Sequence, residues 1–241
     1  MSSMQSHKRY FVVSDIHGHF TQLKEALSAV GFDAEDENHI FVCCGDYFDR
    51  GNENVEVLKF CERLKHKVLI RGNHEDMLLK IFDTAEVRPH NFLNGTQQTI
   101  EDFFGKYCLN ADNTLDFSGK TSMLNRLYAF IDGMVDCFET EEFVFVHGWF
   151  PEGAVTPALR EQAGAYAWER ARWIKWTDKY NGERPLADKT VVCGHVPTFS
   201  AHKVDAARCA EDTDLYYGNG LIAVDTGVFE TKKIHVLVLD A

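Results

Sequence analysis

Cys44-Gly45-Asp46-Tyr47-Phe48-Asp49-Arg50-Gly51 is the stretch that decides both the fold and the chemistry of this chain. It follows the apolar run 40–43, which predicts a buried strand that ends where the carboxylates begin. Asp46 and Asp49 lie three residues apart, and Arg50 stands beside them. A pair of anions next to a fixed cation indicates a hard metal ion that faces a phosphate group.

The same strand–loop–helix unit occurs on both sides of this stretch. An apolar run at 10–13 precedes Asp15, and another at 68–70 precedes Asn73. After each apolar run, further apolar residues at helical spacing predict helices, over 20–30, about 53–64 and 77–82. Alternating strands and helices predict an α/β fold whose sheet has parallel character and carries helices on its faces.

The strand pattern stops between residues 84 and 135 and then returns. Residues 84–135 predict an inserted helical cap, with helices at about 96–107 and 121–131. Later apolar runs predict strands at 143–146, 191–193, 221–224 and 234–239. Because no repeat, linker or low-complexity stretch divides the chain, we expect one domain over residues 1–241.

The composition of the chain excludes several classes of partner. The net charge of −12 disfavours a nucleic-acid partner, which calls for a basic face. No segment approaches the roughly 20 apolar residues of a membrane span, and no signal peptide is predicted, so we expect no membrane partner. The seven cysteines are scattered in strand-like runs, which indicates reduced thiols and a cytoplasmic location.

Metal-ligand residue types follow five of the predicted strands. They are Asp15 and His17, Asp46, Asn73 and His74, His147, and His195. Each of these residues, taken alone, is common in an ordinary loop. In α/β sheets, however, sites form beyond the carboxyl ends of strands, and here all five ends carry such a residue. The pattern therefore predicts one shared site.

The residue types at these strand ends suit two divalent ions. Such a pair needs a bridging carboxylate and separate ligands for each ion, and Asp46 is the natural bridge. Asp15 and His17 can face one ion together, whereas the other can be held by Asn73, His147 and His195. Mixed oxygen and nitrogen ligands favour manganese, with iron or zinc as alternatives, over magnesium or calcium. The ions would activate a bridging hydroxide and clamp a phosphate for in-line attack.

The chain resembles the phosphoprotein phosphatase branch of the calcineurin-like metallophosphoesterases. The resemblance rests on Asp15-Ile16-His17-Gly18, Gly45-Asp46-Tyr47-Phe48-Asp49-Arg50-Gly51, Arg71-Gly72-Asn73-His74-Glu75, His147 and Gly194-His195. It extends from residue 10 to about 230, apart from the insertion at 84–135. The chain is most similar to small bacterial and phage enzymes typified by lambda phosphatase. The resemblance implies a central β-sandwich flanked by helices.

The resemblance also implies a role for each residue of the site. One metal would be held by Asp15, His17 and Asp46, and the other by Asp46, Asn73, His147 and His195. His74 would be the general acid, with Asp49 orienting it. Arg50, Arg170 and Asn73 would bind the phosphate, where Arg170 follows Trp168-Glu169 and Arg172 is its rival.

Three functions compete for this site. The first is a metal-dependent phosphomonoesterase acting on phosphoserine, phosphothreonine or phosphotyrosine of proteins, or on small phosphoesters. The second is a symmetric diadenosine tetraphosphate hydrolase, whose second motif typically has alanine where this chain has Asp49. The third is a noncatalytic scaffold, which would not need the His74–Asp49 pair. Asp49 therefore favours the first, and we expect a phosphoprotein or small phosphoester or nucleotide as substrate.

Overall fold

The computed structural model describes residues 8–203 and 214–240. Its strands are β1 (Arg9–Val13), β2 (His39–Cys43), β3 (Lys67–Leu69), β4 (Cys137–Glu139), β5 (Phe143–Val146), β6 (Thr190–Cys193), β7 (Tyr216–Gly218), β8 (Leu221–Ala223) and β9 (Leu237–Asp240). Its helices are α1 (Phe20–Ala29), α2 (Asn54–Arg63), α3 (Asn73–Thr84), α4 (Pro89–Leu93), α5 (Thr96–Phe104), α6 (Thr121–Asp132), α7 (Pro157–Gln162), α8 (Ala165–Arg172), α9 (Trp176–Lys179) and α10 (Val228–Thr231).

The strands form two mixed sheets. The first has the order β3-β2-β1-β9, in which β1, β2 and β3 are parallel and β9 is antiparallel to β1. The second has the order β4-β5-β6-β8-β7, in which β5, β6 and β8 are parallel and the two edge strands are antiparallel. The parallel strands of each sheet are neighbours, so their carboxyl ends lie side by side.

The two sheets pack face to face because apolar side chains alternate along their strands. Tyr10 and Val12 of β1 share one buried cluster with Phe145 of β5 and Val192 of β6. The intervening residues of β1, including Phe11, point to the opposite face and pack in a different cluster with the helices. This period of two residues explains a central sandwich covered by helices on its outside. The predicted α/β class and sandwich are confirmed.

The insertion at 84–135 packs on the outer face of the first sheet. Ile100 and Phe103 of α5 and Leu127 of α6 belong to the same buried cluster as Phe11 and Phe41. The insertion therefore shares the core of the sheet that it covers. The proposal of one domain over 1–241 stays a prediction.

Several element boundaries differ from the sequence-based expectation. The helix predicted at 96–107 ends at Phe104, and α4 was not predicted. The last strand begins at Leu237, although the apolar run suggested 234. Strands β4 and β7 were missed because three residues carry too little alternation to indicate a strand.

The described cysteines are all free thiols, and Cys209 lies outside the described residues. Among residues 8–203 and 214–240, no helix combines the length and apolarity that a bilayer crossing requires.

Candidate metal centre

The carboxyl ends of the parallel strands of both sheets meet at one site. The predicted ligands Asp15, His17, Asp46, Asn73, His147 and His195 all lie there, as does His74. Apart from His195, which is partly buried, each of these residues is at most 3% exposed. Burying a polar group without a partner costs free energy. A cluster of buried polar side chains at one place therefore indicates a binding site.

The loops that carry these side chains have an unusual backbone. Asp15, His17, Asp46, Asp49 and His195 all have positive φ angles, between 47° and 71°. Only a few per cent of non-glycine residues adopt this left-handed conformation, although Asp and His are enriched among them. Such strained positions cluster at functional sites, where the surrounding structure holds them in place. The loops turn sharply just after each strand and direct their side chains to the common edge.

The first group of ligand atoms surrounds the Nε2 atom of His17. This atom lies 3.9 Å from Oδ1 of Asp15 and 3.8 Å from Oδ2 of Asp46. These distances are too long for hydrogen bonds. They match the separation between two atoms that bind the same metal ion. Ligand atoms at about 2.0–2.2 Å from an ion lie roughly 3–4 Å from each other.

The second group uses the other oxygen of Asp46. Oδ1 of Asp46 lies 3.4 Å from Nε2 of His147, which is 2.8 Å from Oδ1 of Asn73. His195 completes the group, since its ring nitrogen lies within 4.8 Å of the ligand atoms of Asp46 and His147. The carboxylate of Asp46 therefore presents one oxygen to each group, as a bridging ligand does.

Backbone carbonyls fix which nitrogen of each imidazole is free. Nδ1 of His17 donates to the carbonyl of Phe48 at 2.8 Å, and Nδ1 of His147 donates to that of Cys44 at 2.7 Å. A carbonyl can only accept, so Nε2 of each ring can supply its lone pair to the site. Burial, together with the charge of His74, lowers the pKa of His17 well below its usual value. Burial and the nearby His147 lower the pKa of His195 to about 2.

The charges at the centre fit a bound cation. Burial and the carboxylate of Asp15 raise the pKa of Asp46 well above its usual range, despite the opposing effect of His74. A bound divalent cation would reverse this effect, because it becomes the largest local charge. Neutral imidazoles, carboxylates and one amide oxygen form a mixed donor set that suits manganese, iron or zinc.

His74 is close enough to the first group to be a ligand, but its contacts favour another role. It lies within 4.8 Å of the ligand atoms of His17 and Asp46, whereas its Nδ1 donates to Oδ2 of Asp49 at 2.7 Å. Burial opposes protonation of the ring, yet the carboxylates of Asp46 and Asp49 outweigh burial and raise the pKa of His74. The hydrogen bond to Asp49 orients the ring so that Nε2 faces the centre, 3.8 Å from Oδ2 of Asp46, which is the placement that a proton donor needs.

A family model described as calcineurin-like phosphoesterase matches residues 8–226. The chain belongs to this family. The family uses divalent metals, which agrees with the two groups of ligand atoms.

Relatives of this phosphoesterase carry nucleotide-hydrolase names. The asymmetrical bis(5'-nucleosyl)-tetraphosphatase PrpE of Bacillus subtilis (strain 168) is 24% identical over 93% of each chain. A symmetrical bis(5'-nucleosyl)-tetraphosphatase of Proteus mirabilis (strain HI4320) is 34% identical, but over only 35% of this chain and 31% of its own. The symmetrical enzyme of Wigglesworthia glossinidia brevipalpis is 31% identical over 30% and 26% of the two chains. The phosphoesterase thus spans less than a third of the length of these symmetrical enzymes.

Solved structures with the same fold include protein phosphatases. A protein serine/threonine phosphatase from Saccharomyces cerevisiae has a TM-score of 0.61 and 12% identity, covering 99% of this chain and 82% of its own. The cold-active protein-tyrosine phosphatase of a Shewanella species has a TM-score of 0.55 and 18% identity, covering 96% and 75%. At such low identities, these likenesses show the fold alone.

The three predicted arginines of the phosphoesterase have different surroundings. Arg50 is exposed, and its guanidinium lies 4.3 Å from the ring centroid of Phe229. Arg170 is also exposed and lies over the ring of Tyr166, at 5.9 Å. The rival Arg172 is buried, and its guanidinium is paired with the carboxylates of Asp76 and Asp136. The guanidinium of Arg172 therefore already pairs with carboxylates of the protein. The assignment of Arg170 to the phosphate stays a prediction.

Sequence reasoning assigned no role to Glu75, which the structure places directly behind the centre. Its fully buried carboxylate accepts hydrogen bonds from the backbone N–H groups of Asp46 and Tyr47, both at 3.0 Å, and of Gly72 at 2.9 Å. Glu75 is the third residue of α3, where a glutamate typically caps the helix. That signal predicts the contact to Gly72, but not the contacts that hold the Asp46 loop.

We expect Glu75→Gln to destabilise the phosphoesterase by roughly 3 kcal/mol, because an amide NH2 would face buried N–H donors. Urea unfolding monitored by circular dichroism measures the change. Glu56→Gln, at an exposed position of α2, is the matched control. Equal unfolding midpoints for the two variants would show that Glu75 does not hold the loop.

Proposed function

We propose that this phosphoesterase is a metal-dependent hydrolase of phosphomonoesters, including phosphoserine, phosphothreonine or phosphotyrosine of proteins. The observation that carries the proposal is the buried His74–Asp49 pair beside the Asp46 carboxylate, with 2.7 Å between Nδ1 of His74 and Oδ2 of Asp49. This arrangement leaves Nε2 of His74 directed into the centre, 3.8 Å from Oδ2 of Asp46. A proton donor at that place serves the departing oxygen of an ester.

The proposal assigns the ligands to two ions, and the distances between their atoms support it. Asp15, His17 and Asp46 would hold one ion, and Asp46, Asn73, His147 and His195 the other, with manganese as the first choice and iron or zinc as alternatives. When bound, such ions would lower the pKa of a coordinated water, which would attack the phosphorus, and would neutralise the charge of the phosphate.

The chain's own residues would bind the substrate and move the proton. Arg50 would contact the phosphate oxygens, because it is exposed and its charge is close enough to the centre to act on His17 and His74. Asn73 and Arg170 would bind the phosphate together with Arg50. His74 would donate the proton from Nε2 to the leaving oxygen as the phosphorus–oxygen bond breaks, while Asp49 keeps its ring oriented.

A cleft beside the centre favours a second candidate, a dinucleoside polyphosphate hydrolase. It has a volume of about 350 Å³, and its walls include Met77 and Ile81 of α3, Arg88 and Trp173. Trp173 is 49% exposed, and its ring lies 6.4 Å from that of His195, so this wall of the cleft adjoins one of the proposed ligands. A flat aromatic wall and an exposed arginine suit a nucleoside and its further phosphates. The names of the relatives agree with this candidate.

The test is hydrolysis by the purified protein with manganese, on 4-nitrophenyl phosphate, a phosphothreonine peptide and diadenosine tetraphosphate in parallel. We expect hydrolysis of the first two substrates, and we expect a chelator to abolish it because the ions organise the phosphate. Released nitrophenol, inorganic phosphate and nucleotide products are the readouts.

Each alternative has its own outcome in this experiment. Preferred cleavage of diadenosine tetraphosphate would move the function to the second candidate, and the products would distinguish symmetrical from asymmetrical cleavage. No hydrolysis of any substrate, with both ions bound, would favour the noncatalytic scaffold. Activity that survives the chelator would contradict the metal-dependent mechanism.

A further inference from the structure

The insertion at 84–135 reaches the catalytic pair through the first turn of α5. Thr96 and Thr99 lie in that turn, and both are fully buried. Their hydroxyl groups contact the side chain of Asp49, which is also fully buried. Sequence reasoning placed a helix here but assigned it no part in the chemistry.

The two hydroxyl groups donate hydrogen bonds to the positions on the Asp49 carboxylate that the hydrogen bond from His74 leaves open. Oδ2 accepts from Nδ1 of His74 at 2.7 Å and from Oγ1 of Thr96 at 3.0 Å. Oδ1 accepts from Oγ1 of Thr99 at 2.7 Å, and the same oxygen of Thr99 accepts from the backbone N–H of Asp49 at 3.0 Å. Thr99 thus fixes both the side chain and the backbone of Asp49.

The backbone of α5 is pressed against the same loop. Gly95 precedes α5 with a φ of 77°, and a side chain there would place its Cβ 2.7 Å from the backbone nitrogen of Arg50. Only glycine satisfies both the left-handed conformation and the close approach. The positive end of the nine-residue helix α5 therefore lies at the Asp49 loop, where it favours a negative charge.

We propose that Thr96 and Thr99 are positioning residues for the general acid: they hold the carboxylate of Asp49 so that it orients His74. The catalytic consequence rests on the proposed function, whereas the structural consequence does not. Without these hydroxyl groups, a buried Asp49 oxygen would lack a donor, and the carboxylate would be free to rotate away from Nδ1 of His74.

Thr99→Val tests the proposal because it keeps the size of the side chain and removes the hydroxyl group. We expect kcat on phenyl phosphate to fall by about 10- to 100-fold, which is part of the roughly 10²- to 10⁴-fold worth of general acid catalysis. The fall should be smaller on 4-nitrophenyl phosphate, because its less basic leaving oxygen needs less protonation. Thr99→Ser, which restores the hydroxyl group, should recover the activity on both esters.

A change in leaving-group dependence separates positioning from a loss of folded protein. Misfolding lowers the rate on both esters by the same factor, whereas a misplaced acid penalises phenyl phosphate more. Thr121→Val, at an exposed position of α6, is the matched control and should leave the ratio of the two rates unchanged. If Thr99→Val fails to fold, Thr96→Val removes the hydrogen bond to Oδ2 alone and should shift the ratio in the same direction.

A second measurement does not depend on activity. In the zinc-loaded protein, the proton on Nδ1 of His74 should give a downfield ¹H NMR resonance that is absent from His74→Asn. We expect Thr99→Val to shift or broaden it, and Thr99→Ser to retain it. An unchanged resonance together with equal rate losses on both esters would overturn the proposal. If the wild-type protein hydrolyses neither ester, the proposed function fails, and the resonance still decides whether the threonines position the pair.

Discussion

His74→Asn is expected to lower kcat on phosphomonoesters by roughly 10²- to 10⁴-fold while both metal ions stay bound. The variant removes the proton donor but keeps a polar side chain of similar reach. The ligand groups around Asp46 do not depend on it, since their contacts run through His17 on one side and His147 on the other. Steady-state kinetics and metal analysis of the same preparation measure the two results together.

The metal analysis decides between the two roles that the distances permit for His74. Its side chain lies near the first group of ligand atoms, so loss of one ion from His74→Asn would make it a ligand and contradict the acid assignment. His66→Asn, at an exposed position between α2 and β3, is a suitable control for the general effect of replacing a histidine. Asp49→Asn should lower kcat by a smaller factor than His74→Asn and leave the metal ions bound, because Asp49 acts through His74.

The second large effect is expected from Asp46→Asn, which should weaken the binding of both ions at once. Oδ2 of Asp46 faces His17 and Oδ1 faces His147, and an asparagine can offer an oxygen to only one of them. Replacing even an outer partner of a ligand typically costs about 10- to 100-fold in affinity, so the loss of a bridge should cost at least that for each ion. Metal titration of the protein gives both affinities.

The pattern of loss identifies a bridge. If one ion is retained at full affinity, Asp46 belongs to a single site and the bridging assignment is wrong. Asp188→Asn, at an exposed position before the amino end of β6, controls for the change in net charge. Activity should fall with metal occupancy and return in part at high metal concentration.

The central strands could be predicted because they are buried on both faces and therefore read as continuous apolar runs, such as 40–43 and 191–193. The edge strand β4 escaped prediction because it has three residues, and its pairing with β5 depends on the rest of the sheet. The apolar residues Ile234 and Val236 suggested strand, yet they pack against the cluster of the first sheet before β9 begins.

The proposed ligands could be located because each directly follows its own strand, so its place in space follows from its place in the sequence. Glu75 and Thr99 were missed for the opposite reason. Thr99 lies 50 residues from its partner Asp49 and belongs to the insertion, where no sequence pattern indicates which residue faces the site. Hydroxyl groups of threonines are also common in helix first turns for reasons unrelated to catalysis.

The left-handed residues around the centre have a consequence for engineering this enzyme. A non-glycine residue in that conformation costs roughly 1–2 kcal/mol. Glycine at positions 15, 17, 46 and 195 would relieve this backbone cost, while deleting the side chains proposed to hold the ions. Backbone relaxation and metal affinity therefore oppose each other at these positions, because the one residue that removes the strain also removes a proposed ligand.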